Sequence, residues 1–81
     1  MCNIKPVREK DYSFAQLRQA MFTGNLDPFP MSTDLSFRLA QAVSDMRILF
    51  GDTAPMWGAR VTLYSDFHFG VVMMPQNVLT L

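Results

Sequence analysis

Residues 34–50, DLSFRLAQAVSDMRILF, lie in the longest part of the sequence that contains neither proline nor glycine. Apolar residues recur there at steps of three and four, which is the period of a helix with one buried face. This predicted apolar stripe comprises Leu35, Leu39, Ala42, Val43, Met46, Leu49 and Phe50. We therefore predict a long central helix. Ser32 or Thr33 is the expected N-cap, and Gly51 the expected left-handed residue at the end.

Phe37 and Ile48 lie to one side of that stripe, so the helix is apolar over more than half of its circumference. Two interpretations are open. The helix is buried on two sides within its own fold, or the Phe37 and Ile48 flank contacts another chain.

The composition favours contact with another protein. Of 81 residues, 49% are hydrophobic and 17% are charged, compared with about 25% charged in an average domain. The chain has seven Met, seven Phe and a formal net charge of zero. A chain this short has only a small interior. We therefore expect a protein partner, with self-association into a homodimer or higher oligomer. The alternative is a methionine-rich core.

A second, shorter helix is predicted for residues 13–23. Ser13 and Gln16 have the spacing of a capping box, in which each side chain satisfies the backbone N–H of the other residue. Gly24 has the position of a left-handed C-terminal residue. The helix is short enough to need tertiary packing, and the central helix is its expected support.

The segments that flank the short helix are predicted to be extended. Pro6 excludes a central strand for residues 1–10, so these form an edge strand or an extended arm. The connector 25–31, NLDPFPM, contains two prolines that prevent a helix. Leu26 and Phe29 are its two core candidates.

The C-terminal third has the alternation of β-strands. Residues 60–64 and 67–74 each alternate with period two, and the turn formers Ser65 and Asp66 separate them. The second strand carries apolar residues on both faces at its end, which predicts that it is interior to the sheet or covered by another element. Residues 78–81 are a candidate for one more short strand. The predicted fold is α+β, with two helices packed on a small antiparallel sheet built mainly from a C-terminal β-hairpin.

The loop 51–58, GDTAPMWG, carries the only tryptophan. Trp57 either covers the core or anchors a partner, because tryptophan is enriched among residues that dominate binding energy. Our candidate partner-binding residues are Trp57, Met56, Phe37, Ile48, Tyr64, Phe67 and Phe69.

No motif for catalysis or for a cofactor is present, and we predict a non-enzymatic protein. His68 is the only histidine, and Asp66 is the only carboxylate close to it in sequence. One Cys, one His and scattered Asp do not form a metal-binding pattern, and the four glycines do not form a phosphate-binding loop. An enzyme using Cys2 is an alternative, because Met removal would leave a thiol beside an α-amine.

The predicted function is a small interaction module, an inhibitor or accessory subunit of viral or mobile-element type, that binds a larger protein through an apolar surface. A single cysteine fits the reducing cytoplasm, and no apolar run has the length of a membrane span. The alternative is a winged helix-turn-helix regulator, since two helices precede a hairpin. The exposed face of the second helix is of mixed charge and not basic, which makes nucleic-acid binding less favourable. It comprises Arg38, Gln41, Asp45 and Arg47.

Overall fold

The computed structural model describes residues 5–65 and 68–76. In chain order its elements are β1 (Arg8–Ser13), α1 (Phe14–Thr23), α2 (Thr33–Phe50), a 3-10 helix (Gly51–Met56), β2 (Trp57–Ser65) and β3 (His68–Pro75). The three strands form one antiparallel sheet in the order β1-β2-β3, and both helices pack on one face of it. The predicted α+β fold is confirmed. In the described part of the chain, no helix is both long enough and apolar enough to cross a bilayer.

Strand β1 leads directly into helix α1. Ser13 is the last residue of β1, and its Oγ accepts a hydrogen bond from the Gln16 N–H at 3.1 Å. Gln16 Oε1 accepts from the Ser13 N–H at 2.8 Å, which confirms the predicted capping box. Gly24 ends the helix with φ of 72°, and its N–H donates to the Ala20 carbonyl. Both predicted ends of this helix are therefore correct.

Helix α2 begins after Ser32, whose Oγ accepts from the Leu35 N–H at 3.1 Å. Five residues of the predicted stripe are buried, namely Leu35, Leu39, Ala42, Val43 and Met46. Leu49 is 62% exposed, so its assignment to the stripe was wrong. It lies about 60° from the centre of the buried face at 100° per residue. Gly51 has the expected positive φ of 52°, but its ψ of −122° lies outside the left-handed helical region.

The connector between the helices contributes to the core, as predicted. Leu26 and Phe29 are both buried. Tyr12, at the end of β1, contacts Phe29 edge-on, with 6.2 Å between ring centres. Its hydroxyl donates to the Asp27 carbonyl oxygen at 2.9 Å. Burial, with a contribution from the Asp27 charge, raises the pKa of Tyr12 to about 12.

Strand β2 is the central strand, and it is longer than predicted. It starts at Trp57, which pairs with Pro75, instead of at residue 60. The interior position predicted for the second hairpin strand depends on a further strand after it and stays a prediction. Among the described residues β3 pairs with β2 alone, β1 occupies the other side of β2, and the helices cover the face of β3 that carries Phe69. Asp66 of the predicted turn and the candidate strand 78–81 lie outside the described residues.

The sheet face opposite the helices is polar along β1. Arg60 binds the Asp11 carboxylate with two hydrogen bonds of 2.7 and 3.2 Å. The hydrogen bond from Arg60 lowers the pKa of Asp11. Beside this pair, the Thr62 hydroxyl donates to Glu9 Oε2 at 3.1 Å. On β3 the same face carries Val72, which is 63% exposed.

Candidate interaction surface

One face of α2 points away from the sheet and is formed by Phe37, Gln41, Ser44 and Ile48, which we call the outer stripe. Steps of four, three and four residues place them in a line along the helix. Phe37 is 72% exposed and Ile48 is 77% exposed, and the two polar residues between them are exposed as well. The interpretation that α2 is buried on two sides within its own fold is therefore wrong. Contact of this flank with another chain stays a prediction.

The flank of the outer stripe nearest β3 carries opposite charges. Arg38 Nε lies 3.3 Å from a carboxylate oxygen of Asp34, and Arg38 Nη1 donates to the Phe69 carbonyl oxygen. About two turns further along, Asp45 Oδ1 accepts from Gln41 Nε2 at 2.8 Å. The cation and the anion are both held by neighbours on their own chain, so their positions along the helix are well defined.

The opposite flank of the outer stripe meets α1, which runs antiparallel to α2. The Arg47 guanidinium, near the end of α2, lies 5.7 Å from the centre of the Phe14 ring at the start of α1. Gly24, at the end of α1, lines a groove with Ser36 near the start of α2. The two helices therefore form one layer whose outer surface includes residues of both.

Phe22 on α1 is the most exposed large apolar side chain of the described residues, at 89%. With Val43 and Arg47 of α2 it lines a shallow groove of about 260 Å³ between the helices. The sequence analysis did not select Phe22. The spacing of apolar residues in this helix predicts an apolar face formed by Phe14, Leu17, Ala20 and Met21. Phe22 lies about 100° around the helix from Met21 and off that face, which is the signal that identifies it as exposed.

A depression lies beside the Phe37 ring. It has a volume of about 380 Å³ and is lined by Thr33, Ser36, Phe37 and Ala40. The small side chains of Ser36 and Ala40 leave this space open. A side chain from another molecule can enter it and pack against the exposed ring without any movement of α2.

Trp57 and Met56, two further candidates, lie near the end of α2. The Trp57 indole is half-buried and stacks on the Phe50 ring, with 3.8 Å between ring centres and 5° between planes. Most of its contact surface is therefore already used inside the fold. Met56 is 53% exposed. Tyr64 is half-buried on β2, with its ring centre 5.4 Å from that of His68.

Phe69 is not a surface residue, which corrects its assignment as a partner contact. It is 4% exposed and lies in the core beneath α2. Its side chain shares a sheet face with Val61 and Leu63, the face that the helices cover. Phe67, the remaining candidate, lies outside the described residues.

The described residues do not bring together a group that could bind a metal ion. His68 is exposed, and both Asp66 and Cys2 lie outside the described part of the chain. Within residues 5–65 and 68–76, no three His, Cys, Asp or Glu side chains lie close enough together to hold a metal ion. An enzyme using Cys2 remains an untested alternative.

The helix arrangement differs from that of a helix-turn-helix unit. Such units join their helices by a turn of about three or four residues at a steep angle. Here residues 24–32 separate α1 from α2, and the helices pack antiparallel. The outer stripe itself has no basic residue. Nucleic-acid binding stays a prediction without support from these features.

Comparison with known proteins leaves the chain without an assigned family. No family model matches it, and neither a curated protein nor a solved structure gives a match.

Proposed function

We propose that this protein is a non-enzymatic interaction module that binds another protein chain through the outer surface of its helical layer. In this role it acts as an inhibitor or an accessory subunit, by covering a surface of its partner. A cytoplasmic location fits the single cysteine of the chain.

One observation carries the proposal. Phe22, Phe37 and Ile48 are each more than 70% exposed and lie on the helical layer. They are not needed to complete the core, since Leu35, Leu39 and Met46 fill the inner side of α2 with no exposed surface. Large apolar side chains exposed on one side of a molecule and surrounded by polar residues are typical of interaction sites. Aromatic residues are also enriched at protein interfaces.

The experiment compares the unmodified chain with a Phe37→Ser, Ile48→Ser double variant as bait for proteins of its native host. We expect the unmodified chain to retain a specific partner that the double variant loses, with unchanged thermal stability, because neither side chain supports the core. Val72→Thr is the matched control. It removes an exposed apolar side chain from the opposite face of the molecule and should retain the partner. Equal binding by all three proteins would contradict the proposal.

A further inference from the structure

We infer that the chain seated on the outer stripe is a second copy of this protein, with its α2 packed antiparallel on the first α2 about a two-fold axis. This inference rests on the proposed function and names its partner. In this arrangement Phe37 of each copy faces Ile48 of the other.

The spacing of the outer stripe supports the arrangement. Steps of four, three and four residues are those of a coiled-coil seam, in which two helices contact along a line. An antiparallel pair centred between Gln41 and Ser44 is self-complementary. At either end the Phe37 ring of one copy meets Ile48 of the other. In the middle the Gln41 amide of one copy meets the Ser44 hydroxyl of the other. The Ser44 hydroxyl thus gains the Gln41 amide of the other copy as a partner when water leaves, and Gln41 keeps its bond to Asp45.

The charges on the flank favour the antiparallel orientation. Arg38 and Asp45 lie on the same side of the outer stripe, one residue after Phe37 and one after Ser44. In the antiparallel pair, Arg38 of each copy lies beside Asp45 of the other, which gives two attractive contacts. A parallel pair would place Phe37 on Phe37 and Gln41 on Gln41, and would separate Arg38 from Asp45 by about two turns. Opposite charges at these flanking positions are a known determinant of helix pairing.

The second flank is also compatible with a second copy. Ala40 of one α2 lies opposite Arg47 of the other, so no like charges meet and the small side chain leaves room for the long one. Phe22 of α1 borders this flank, beside Val43 and Arg47. Both copies of Phe22 therefore lie on the same side of the helix pair, where they extend the apolar contact.

The size of the contact predicts a weak dimer. The outer stripe from Phe37 to Ile48 is about 17 Å long, and such a surface belongs to the smallest class of specific interfaces. The formal net charge of zero removes long-range repulsion between copies. We expect a dissociation constant on the order of 10 µM.

The first test is sedimentation equilibrium of the purified chain from about 1 to 300 µM, a range that brackets this constant. We expect a monomer–dimer equilibrium. Phe37→Ser and Ile48→Ser should each weaken the dimer at least about tenfold, and Val72→Thr should change it less than about twofold. A chain that stays monomeric over the whole range, or a control variant that weakens the dimer as much as Phe37→Ser, would overturn the inference.

The second test measures the orientation by exchanging charges. Arg38→Asp alone and Asp45→Arg alone each replace two attractive contacts by two repulsive ones, and each should weaken the homodimer about tenfold. An equimolar mixture of the two variants restores both attractive contacts, so its dimerisation should return to within about twofold of the unmodified chain. A mixture no better than either variant would overturn the antiparallel arrangement. Thermal unfolding of each variant identifies any loss of fold, since Arg38 also bonds the Phe69 carbonyl.

The two proposals can fail separately. A monomer that still retains a host protein through Phe37 and Ile48 contradicts the inference and leaves the proposed function standing. Both proposals are contradicted if the chain is monomeric and the Phe37→Ser, Ile48→Ser variant retains the same host proteins as the unmodified chain.

Discussion

Leu39 and Phe37 are two residues apart on α2, yet they occupy opposite environments. Leu39 has no exposed surface, whereas Phe37 is 72% exposed. The sheet has a similar pair, since Tyr12 is buried and its neighbour Asp11 binds Arg60 on the open face. The comparison teaches that the inward surface of this molecule carries its stability. The apolar residues of the outward helical surface are exposed and lie outside the core, so we expect them to contribute little to folding.

The largest expected effect comes from the inward side. Leu39→Ala should lower the free energy of unfolding by about 2–5 kcal/mol, because it leaves a cavity in a filled core. Phe37→Ala removes a larger side chain but should change stability by less than about 0.5 kcal/mol. Urea unfolding curves of both variants, measured at the same protein concentration, give the difference. Similar losses of stability in the two variants would contradict the different roles given to the inward and outward surfaces.

Trp57 and Met56 lie where the inward, core-forming surface meets the outward one, so substitutions there can distinguish a role in stability from a role in binding. Trp57→Ala should lower the free energy of unfolding by about 2 kcal/mol, because the indole stacks on Phe50. This loss is smaller than that expected for a fully buried aromatic residue, because Trp57 is partly exposed. Met56→Ala, at a site 53% exposed, serves as the neighbouring control and should cost less. A Trp57→Ala protein with unchanged stability and lost partner binding would instead identify Trp57 as an anchor.

Alkaline unfolding tests the buried hydroxyl of Tyr12. Its pKa is raised to about 12, so the folded state holds its proton while the unfolded state releases it near pH 10. Stability from this group is complete below pH 10 and is lost as the pH rises through 12. Between pH 9 and 11 the unmodified chain should lose about 1 kcal/mol more than Tyr12→Phe. Parallel pH curves for the two proteins would show that the hydroxyl is not buried.

The smallest expected effect belongs to the open sheet face. The Arg60 hydrogen bond lowers the pKa of Asp11, so the stability it supplies is present above the unfolded pKa and is lost as the pH falls through the folded one. Asp11→Asn should therefore reduce stability slightly at pH 7 and less at pH 2, where protonation weakens the ion pair. Thermal unfolding at the two pH values checks this. A large loss at pH 7 would give the outward surface an unexpected role in folding.

Local signals in the sequence predicted much of the fold correctly. The capping box of Ser13 and Gln16, and the buried stripe of α2 as far as Met46, depend on residues within a few positions of one another. The core positions of Leu26 and Phe29 follow from apolar residues in an otherwise polar connector.

Features set by distant parts of the chain were not predictable in this way. The pairing of β1 with β2, which makes β2 central, joins residues about 50 positions apart. The burial of Phe69 depends on which sheet face the helices cover, and β3 has apolar residues on both faces. For the interaction surface, Phe37 and Ile48 were identifiable from the helical period. Phe22 was not predicted, because it lies off the apolar face of α1 and a single exposed apolar residue has no helical pattern of its own.

Ser13 belongs both to β1 and to the cap of α1, with no loop between them. A slip of β1 by one residue along β2 would turn Tyr12 outward and would also displace α1, with its cap, relative to the core on which it packs. The strand and the helix must therefore be acquired together during folding. An insertion at this junction should be tolerated far less than one in the nine-residue connector between the helices.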